Sequence, residues 1–160
     1  MIKKGDILLV HCYLDPIALL ISFATKSKWT HTTWILDKKS ILESRSSGVI
    51  KSPIRKYLGK KWLYQCKLLR LKGNKTVKIK KAMRYGLKLR KNRGYWRFIW
   101  SLIQIGFNRR NQESQISCSG FVSYCFSKVD IYLHKTKDPL DVTPGDIARS
   151  KELIDVTDQL

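Results

Sequence analysis

The chain has 160 residues, 43% of them hydrophobic and 11% aromatic, with only 9 Gly and 4 Pro. That is enough for one domain, 1–160, whose core needs no covalent staple, and it excludes long disordered linkers. The net charge of +20 is extreme and unevenly placed: residues 51–110 hold 20 Lys or Arg and no acidic residue, while the other twelve cations match the twelve carboxylates.

Residues 5–14 read as a strand, with Ile7, Leu9 and His11 on one face and Leu8, Val10 and Cys12 on the other. Asp15 can cap a helix running to about residue 24, and Pro16 suits its first turn. A polar loop follows at 25–28. The β-branched and aromatic run 29–36 is a strand, 37–40 a turn, and 41–44 the returning arm of a hairpin. Ser46-Ser47-Gly48 is a break, Val49-Ile50 an extension of the sheet, and 51–58 a short helix or irregular turn around Pro53.

A strand is expected over 62–71, closed by a turn at 72–75, and a helix over 77–89 through Val77, Ala82, Tyr85 and Leu89. Lys91 to Gly94 breaks that helix. The aromatic segment 95–107, flanked by arginines, is a core helix, a lid or an amphipathic surface for acyl chains or a membrane. Residues 108–115 are polar. A helix follows from Cys118 to about Val129, striped by Phe121, Val122, Cys125 and Phe126. Thr143-Pro144-Gly145-Asp146 is a turn leading into Ile147-Ala148. Strands and helices interleave without regular βαβ alternation, which argues an α+β fold.

No apolar stretch reaches the roughly 20 residues that span a bilayer, and the N-terminus lacks a signal-peptide pattern, so a cytoplasmic location is expected. The four cysteines match no zinc spacing, no metal or other cofactor is expected, and free thiols are the default.

The question is then whether any thiol is reactive. Cys118 lies where a polar loop meets an apolar-striped helix. A helix N-terminus favours thiolate through its dipole and unpaired N–H groups, and those groups can also hold an oxyanion. Ser117 and Ser119 keep the surroundings small and polar, and Gly120 permits close approach. The commonest fate of such a residue is nevertheless that of a buried free cysteine. A nucleophile needs a base, and there are three histidines. His11 sits inside a strand as a core residue and His134 in a basic loop. His31 opens a strand, a rigid mount facing a cleft, and is preferred. Glu43, on the returning arm of the hairpin, can orient His31 if the connection is odd in length or bulged; an even two-residue loop would turn it away. Its other readings are a surface carboxylate or a partner for Arg45.

Several pieces occur in a characteristic order: Gly5-Asp6-Ile7-Leu8, then the stretch from Thr25 through Trp29-Thr30-His31 to Trp34, then Leu42-Glu43-Ser44-Arg45 through Val49. Ser117-Cys118-Ser119-Gly120-Phe121-Val122 and Thr143-Pro144-Gly145-Asp146-Ile147 complete the series. Together they resemble the circularly permuted NlpC-type branch of papain-like cysteine hydrolases, the YiiX/YaeF-like group of permuted amidases. The resemblance implies a papain-like core in which a small antiparallel sheet packs on the nucleophile helix. It makes Cys118 the nucleophile, His31 the base and Glu43 the third member. It further implies substrate contacts from Tyr95, Trp29, Ser117 and Ser119. Gly94-Tyr95-Trp96 departs from the group, which commonly has an acid or small polar residue where Trp96 stands.

The expected function is hydrolysis of an amide or ester through a thioester, on a cell-wall peptide, an acyl-amino acid or a lipid-like molecule. A lipid acyltransferase is a related alternative. A different class of reading makes the chain a basic binding module, in which residues 51–110 hold nucleic acid, an anionic polymer or a membrane surface and the triad is vestigial.

Overall fold

The computed structural model describes residues 1–45, 48–89 and 117–160. The predicted break at 91–94, the aromatic segment 95–107 with Tyr95, and the polar stretch 108–115 lie outside them.

Among these residues, six strands form one antiparallel sheet: β1 (Ile7–Cys12), β2 (His31–Ile35), β3 (Ser40–Arg45), β4 (Gly48–Pro53), β5 (Tyr64–Leu71) and β6 (Leu153–Asp155). Their order across the sheet is β4-β3-β2-β1-β5-β6. Among the described residues, five α-helices accompany them: α1 (Pro16–Thr25), α2 (Arg55–Leu58), α3 (Thr76–Leu89), α4 (Cys118–Ser127) and α5 (Pro144–Ala148). The α+β expectation holds.

The alternation predicted for β1 is observed, and both of its faces are buried. Ile7 and Leu9 join Trp34, Leu42, Phe121 and Phe126 in one apolar cluster under α3 and α4. Leu8 and Val10 join Ile35, Ile41, Tyr57 and Leu68 in a second cluster on the other face, under α2. Trp34 packs 4.8 Å from the ring of Phe126, centroid to centroid. Truncating a buried aromatic of this kind, as in Phe126→Ala, costs about 3–5 kcal/mol, which makes the α4–sheet contact a principal source of stability.

The strand is shorter than residues 5–14. Gly5 turns the chain with φ +94°, where a Cβ would meet Ile79 Cγ2 at 2.4 Å, so a side chain is excluded on both counts. Asp6, buried beside it, accepts Arg70 Nε at 2.8 Å and Nη2 at 2.7 Å, a two-pronged pair that ties β1 to β5. Helix α1 begins as predicted, with Asp15 Oδ1 accepting the Ala18 N–H at 3.4 Å.

Three further expectations need correction. The strand predicted from residue 62 starts at Tyr64, because the Leu63 N–H closes a turn onto the Lys60 carbonyl at 2.9 Å. Residues 51–53, read as a turn or helix, still belong to β4. Residues 143–146 are a helix start rather than a turn: Thr143 and Asp146 form a reciprocal capping box with Pro144 in the first turn. Strand β6 escaped prediction because three residues are too few to show alternation.

The basic block is partly consumed within the fold. Lys67 pairs with Asp155 at 3.1 Å, Lys75 with Glu152 at 2.8 Å and Arg70 with Asp6 at 2.7 Å, each acid coming from outside residues 51–110. Among the described residues, no helix is long and apolar enough to cross a membrane.

Candidate active site

The hairpin sets the site's geometry. Trp34 pairs with Leu42 and Ile35 with Ile41, so five residues, 36–40, separate the innermost pair. The connection is odd, held by Asp37 Oδ1 accepting the N–H groups of Lys39 and Ser40, both at 2.8 Å. Because side chains alternate strictly, this register puts Glu43 on the same face as His31. The condition stated for Glu43 is met, and His31 Nε2 lies 2.9 Å from Glu43 Oε2.

Glu43 is neither a surface carboxylate nor a partner for Arg45 alone. It is 0% exposed. Tyr57 Oη donates to its Oε2 at 2.6 Å and Lys56 Nζ to its Oε1 at 3.0 Å. Arg45 Nε lies 3.1 Å from Oε2, close enough for attraction but not aligned as a hydrogen bond, and Arg45 Nη2 instead donates to Tyr57 Oη at 2.9 Å. Burial pushes the Glu43 carboxyl up, but hydrogen bonding and charge from His31, with bonds from Ser52 and Tyr57, hold it far below the usual carboxylate range. Tyr57 is pushed well above an ordinary phenol by burial and by the adjacent Glu43 charge, so it stays a donor.

Cys118 is the first residue of α4 and is 8% exposed. Ser117 caps the helix: its Oγ accepts the Gly120 N–H at 2.9 Å. Gly120 is needed there, since a Cβ would meet the Leu140 carbonyl oxygen at 2.4 Å. Burial alone would raise the Cys118 thiol. The charge and hydrogen bond of His31, with backbone N–H groups of Thr32 and Ser119, bring it below an ordinary thiol. His31 answers in the opposite sense: burial lowers it, but Cys118 and then Glu43 raise it to about 9. With Nε2 given to Glu43, the ring offers Nδ1 to the sulfur. Each partner therefore favours the charged form of the other, thiolate at Cys118 and imidazolium at His31, with the buried Glu43 carboxylate behind the ring.

The structure therefore brings Cys118, His31 and Glu43 into one chain of contacts. The other predicted positions divide. The Ser117 side chain is occupied as a helix cap, and Ser119 is buried with its N–H toward Cys118. Trp29 lies in the core cluster under α4, its backbone N–H donating to Ser27 Oγ at 3.2 Å. Tyr95 lies outside the described residues. Of the unused histidines, His11 is half-buried with Nδ1 unpartnered, not the satisfied core residue expected, and stands edge-on to Tyr13 at 5.0 Å. His134 Nδ1 accepts the Lys137 N–H at 3.3 Å in its loop. Sequence reasoning missed Tyr57 and Lys56. The available signal was slight: a polar-tipped aromatic in a short helix after the strand that pairs with β3.

Among the described residues, no three His, Cys, Asp or Glu side chains group so as to hold a metal ion. Glu43 faces the ring nitrogen remote from Cys118, with its oxygens already bonded to Tyr57 and Lys56, so the triad's donors do not converge.

No family model and no curated protein matches the sequence. One solved structure similar to this chain is described as the metalloprotein YiiX from Escherichia coli O157:H7, DUF1105; it has a TM-score of 0.72, 16% sequence identity, and 96% coverage of each chain. At that identity the likeness is one of architecture: over nearly its whole length, this chain has a YiiX-like fold.

Proposed function

We propose that the protein is a cysteine-dependent hydrolase of amides or esters, with Cys118 as nucleophile, His31 as general acid and base, and Glu43 as the acceptor that orients His31. The observation that carries this reading is the contact chain itself: a thiol at a helix N-terminus, lowered by a histidine whose far nitrogen sits 2.9 Å from a fully buried carboxylate. The order of the His31 strand before the Cys118 helix is the feature of this chain that favours reading it as a permuted, papain-like enzyme; the YiiX-like fold is compatible with that reading.

In the first half-reaction the Cys118 thiolate attacks the carbonyl carbon. The oxyanion that forms is stabilised by the Cys118 backbone N–H at the start of α4, since the Gly120 and Phe121 N–H groups are bonded to Ser117. As the S–C bond becomes a thioester, the C–N or C–O bond breaks and His31 gives its proton to the leaving amine or alcohol. Water then loses a proton to His31, its oxygen adds to the thioester, and the acid leaves as the thiolate–imidazolium pair re-forms. Glu43 stabilises the imidazolium throughout, held by Tyr57 and Lys56.

Folded protein is treated with a carbonyl-directed activated ester, and the adduct is mapped by mass spectrometry. Acylation at Cys118, with hydrolysis of amide or ester substrates lost in Cys118→Ser, is expected. No adduct at Cys118, together with unchanged turnover in Cys118→Ser, overturns the assignment.

A further inference from the structure

One end of the sheet, where β1 finishes and β2 and β5 begin, carries an apolar surface that the described residues leave exposed. Tyr13 and Leu14 leave β1 there, and the Tyr13 N–H donates to the Leu63 carbonyl at 3.1 Å, which sets Trp62 beside them. Helix α1 rises from the same end with Leu19 and Phe23 one turn apart on its outer side. Phe23 is 86% exposed, Trp62 71% and Leu14 69%; Leu19 and Tyr13 are exposed as well. The loop out of α1 returns to this end, where Lys28 Nζ donates to Gln65 Oε1 at 3.3 Å, and then leads through Trp29 and Thr30 into His31. The surface therefore borders the site. Single exposed apolar residues are ordinary, but five large ones at one end of a sheet form a patch.

Among the described residues, the charge that borders the patch is mainly positive. Lys26, Lys28, Lys60 and Lys61 are exposed there, and among the described residues beside them the carboxylate Asp15 caps α1. Two exposed aromatics, two leucines and a tyrosine rimmed by lysines match a lipid–water interface bearing negative headgroups. Aromatics settle at headgroup depth, aliphatic side chains enter the acyl region, and lysines meet the phosphates. A nucleic-acid strand would use the lysines and aromatics but leave the two leucines and Phe23's helix-borne apolar face without a role.

We propose that this end of the molecule, formed by Tyr13, Leu14, Leu19, Phe23 and Trp62 with the surrounding lysines, docks on an anionic bilayer. Docking there turns the Cys118–His31 site toward the membrane surface, so the substrate class is an acylated amphiphile drawn from the bilayer. That substrate consequence rests on the proposed hydrolase activity; the docking does not.

The test is co-sedimentation of the full chain with phosphatidylglycerol–phosphatidylcholine vesicles and with pure phosphatidylcholine vesicles. Binding to the anionic vesicles is expected. Phe23→Ser and Trp62→Ser should each weaken it about tenfold, from lost apolar burial. Lys60→Gln and Lys61→Gln should each weaken it about fivefold, from lost attraction to the headgroups. Cys118→Ala should bind as wild type, so failure of the catalytic reading leaves this result standing. Absence of vesicle binding overturns the proposal. So does a single-stranded oligonucleotide binding where vesicles do not, or a dimer that Phe23→Ser converts to monomer. A loss of thermal stability in Phe23→Ser and Trp62→Ser would show that the patch is covered within the chain, and would overturn the proposal as well.

Discussion

Cys118 and Cys125 lie seven residues apart on the same helix, both buried and both free of disulfides. Their chemistry is opposite. Burial among apolar side chains pushes the Cys125 thiol up to about 12, whereas Cys118 falls below an ordinary thiol although burial acts on it in the same direction. The difference is not residue type, helix or depth. Cys118 has His31 beside it and backbone N–H groups directed at its sulfur; Cys125 packs in the cluster with Trp34, Phe121 and Phe126. Burial makes a cysteine inert unless a charge partner is buried with it, and the partner at Cys118 is itself fixed by Glu43.

The comparison can be broken most severely by removing each sulfur. Cys118→Ala should lower hydrolysis by at least about a thousandfold, while Cys125→Ala should leave turnover within about twofold and cost about 1 kcal/mol of stability from lost packing. Calorimetry and steady-state kinetics on both variants would separate the roles; comparable activity losses would abolish the contrast. Next in size is the partner. His31→Ala should slow alkylation of Cys118 at pH 7 by about a hundredfold, making it resemble Cys125 in the folded protein. An unchanged alkylation rate would detach the thiol's acidity from the histidine.

Glu43→Gln sharpens the picture through pH. In the wild type, turnover should fall as pH rises through about 9, where His31 loses its proton. Without the carboxylate that limb should move toward the ordinary imidazole value, with turnover reduced about tenfold. The same substitution carries a stability signature of known sign. A carboxyl held below its unfolded value contributes stability at pH above about 4.5, and that contribution is lost as pH falls toward the folded value. Thermal melts between pH 6 and 3 should therefore decline more steeply for the wild type than for Glu43→Gln. The smallest effect belongs to Tyr57→Phe, which removes one donor to Glu43. A loss of about 1 kcal/mol and a modest downward shift of the alkaline limb are expected; a change in KM alone would contradict a positioning role.

Much of this arrangement was legible in the sequence, for reasons that can be stated locally. Alternation exposed β1 and the hairpin, and period and capping residues exposed α1, α3 and α4. The Ser117-Cys118 junction marked a thiol at a helix start because a polar loop and an apolar stripe meet there, but the capping role of Ser117 was not seen. Glu43 was legible only conditionally, since its face depends on the parity of the 36–40 connection, which hydrogen bonds of the Asp37 side chain decide. Tyr57 and Lys56 were not legible, because nothing in residues 53–58 says that this short helix folds back over β3's end. Nor was the internal use of the basic block: Arg70, Lys67 and Lys75 find carboxylates 64, 88 and 77 residues away in sequence. Long-range pairing of charges leaves no periodic trace.

The most direct test of the central claim is the pH dependence of iodoacetamide alkylation at Cys118 in the folded wild type. It is read by mass spectrometry, with Cys125 as the internal control. Cys118 should react faster at neutral pH than an ordinary thiol, with its rate rising at lower pH than such a thiol's does, while Cys125 stays unmodified until the protein unfolds. Alkylation of Cys118 that rises only above pH 8 to 9, in step with an ordinary thiol, or that awaits unfolding as Cys125 does, would contradict the claim.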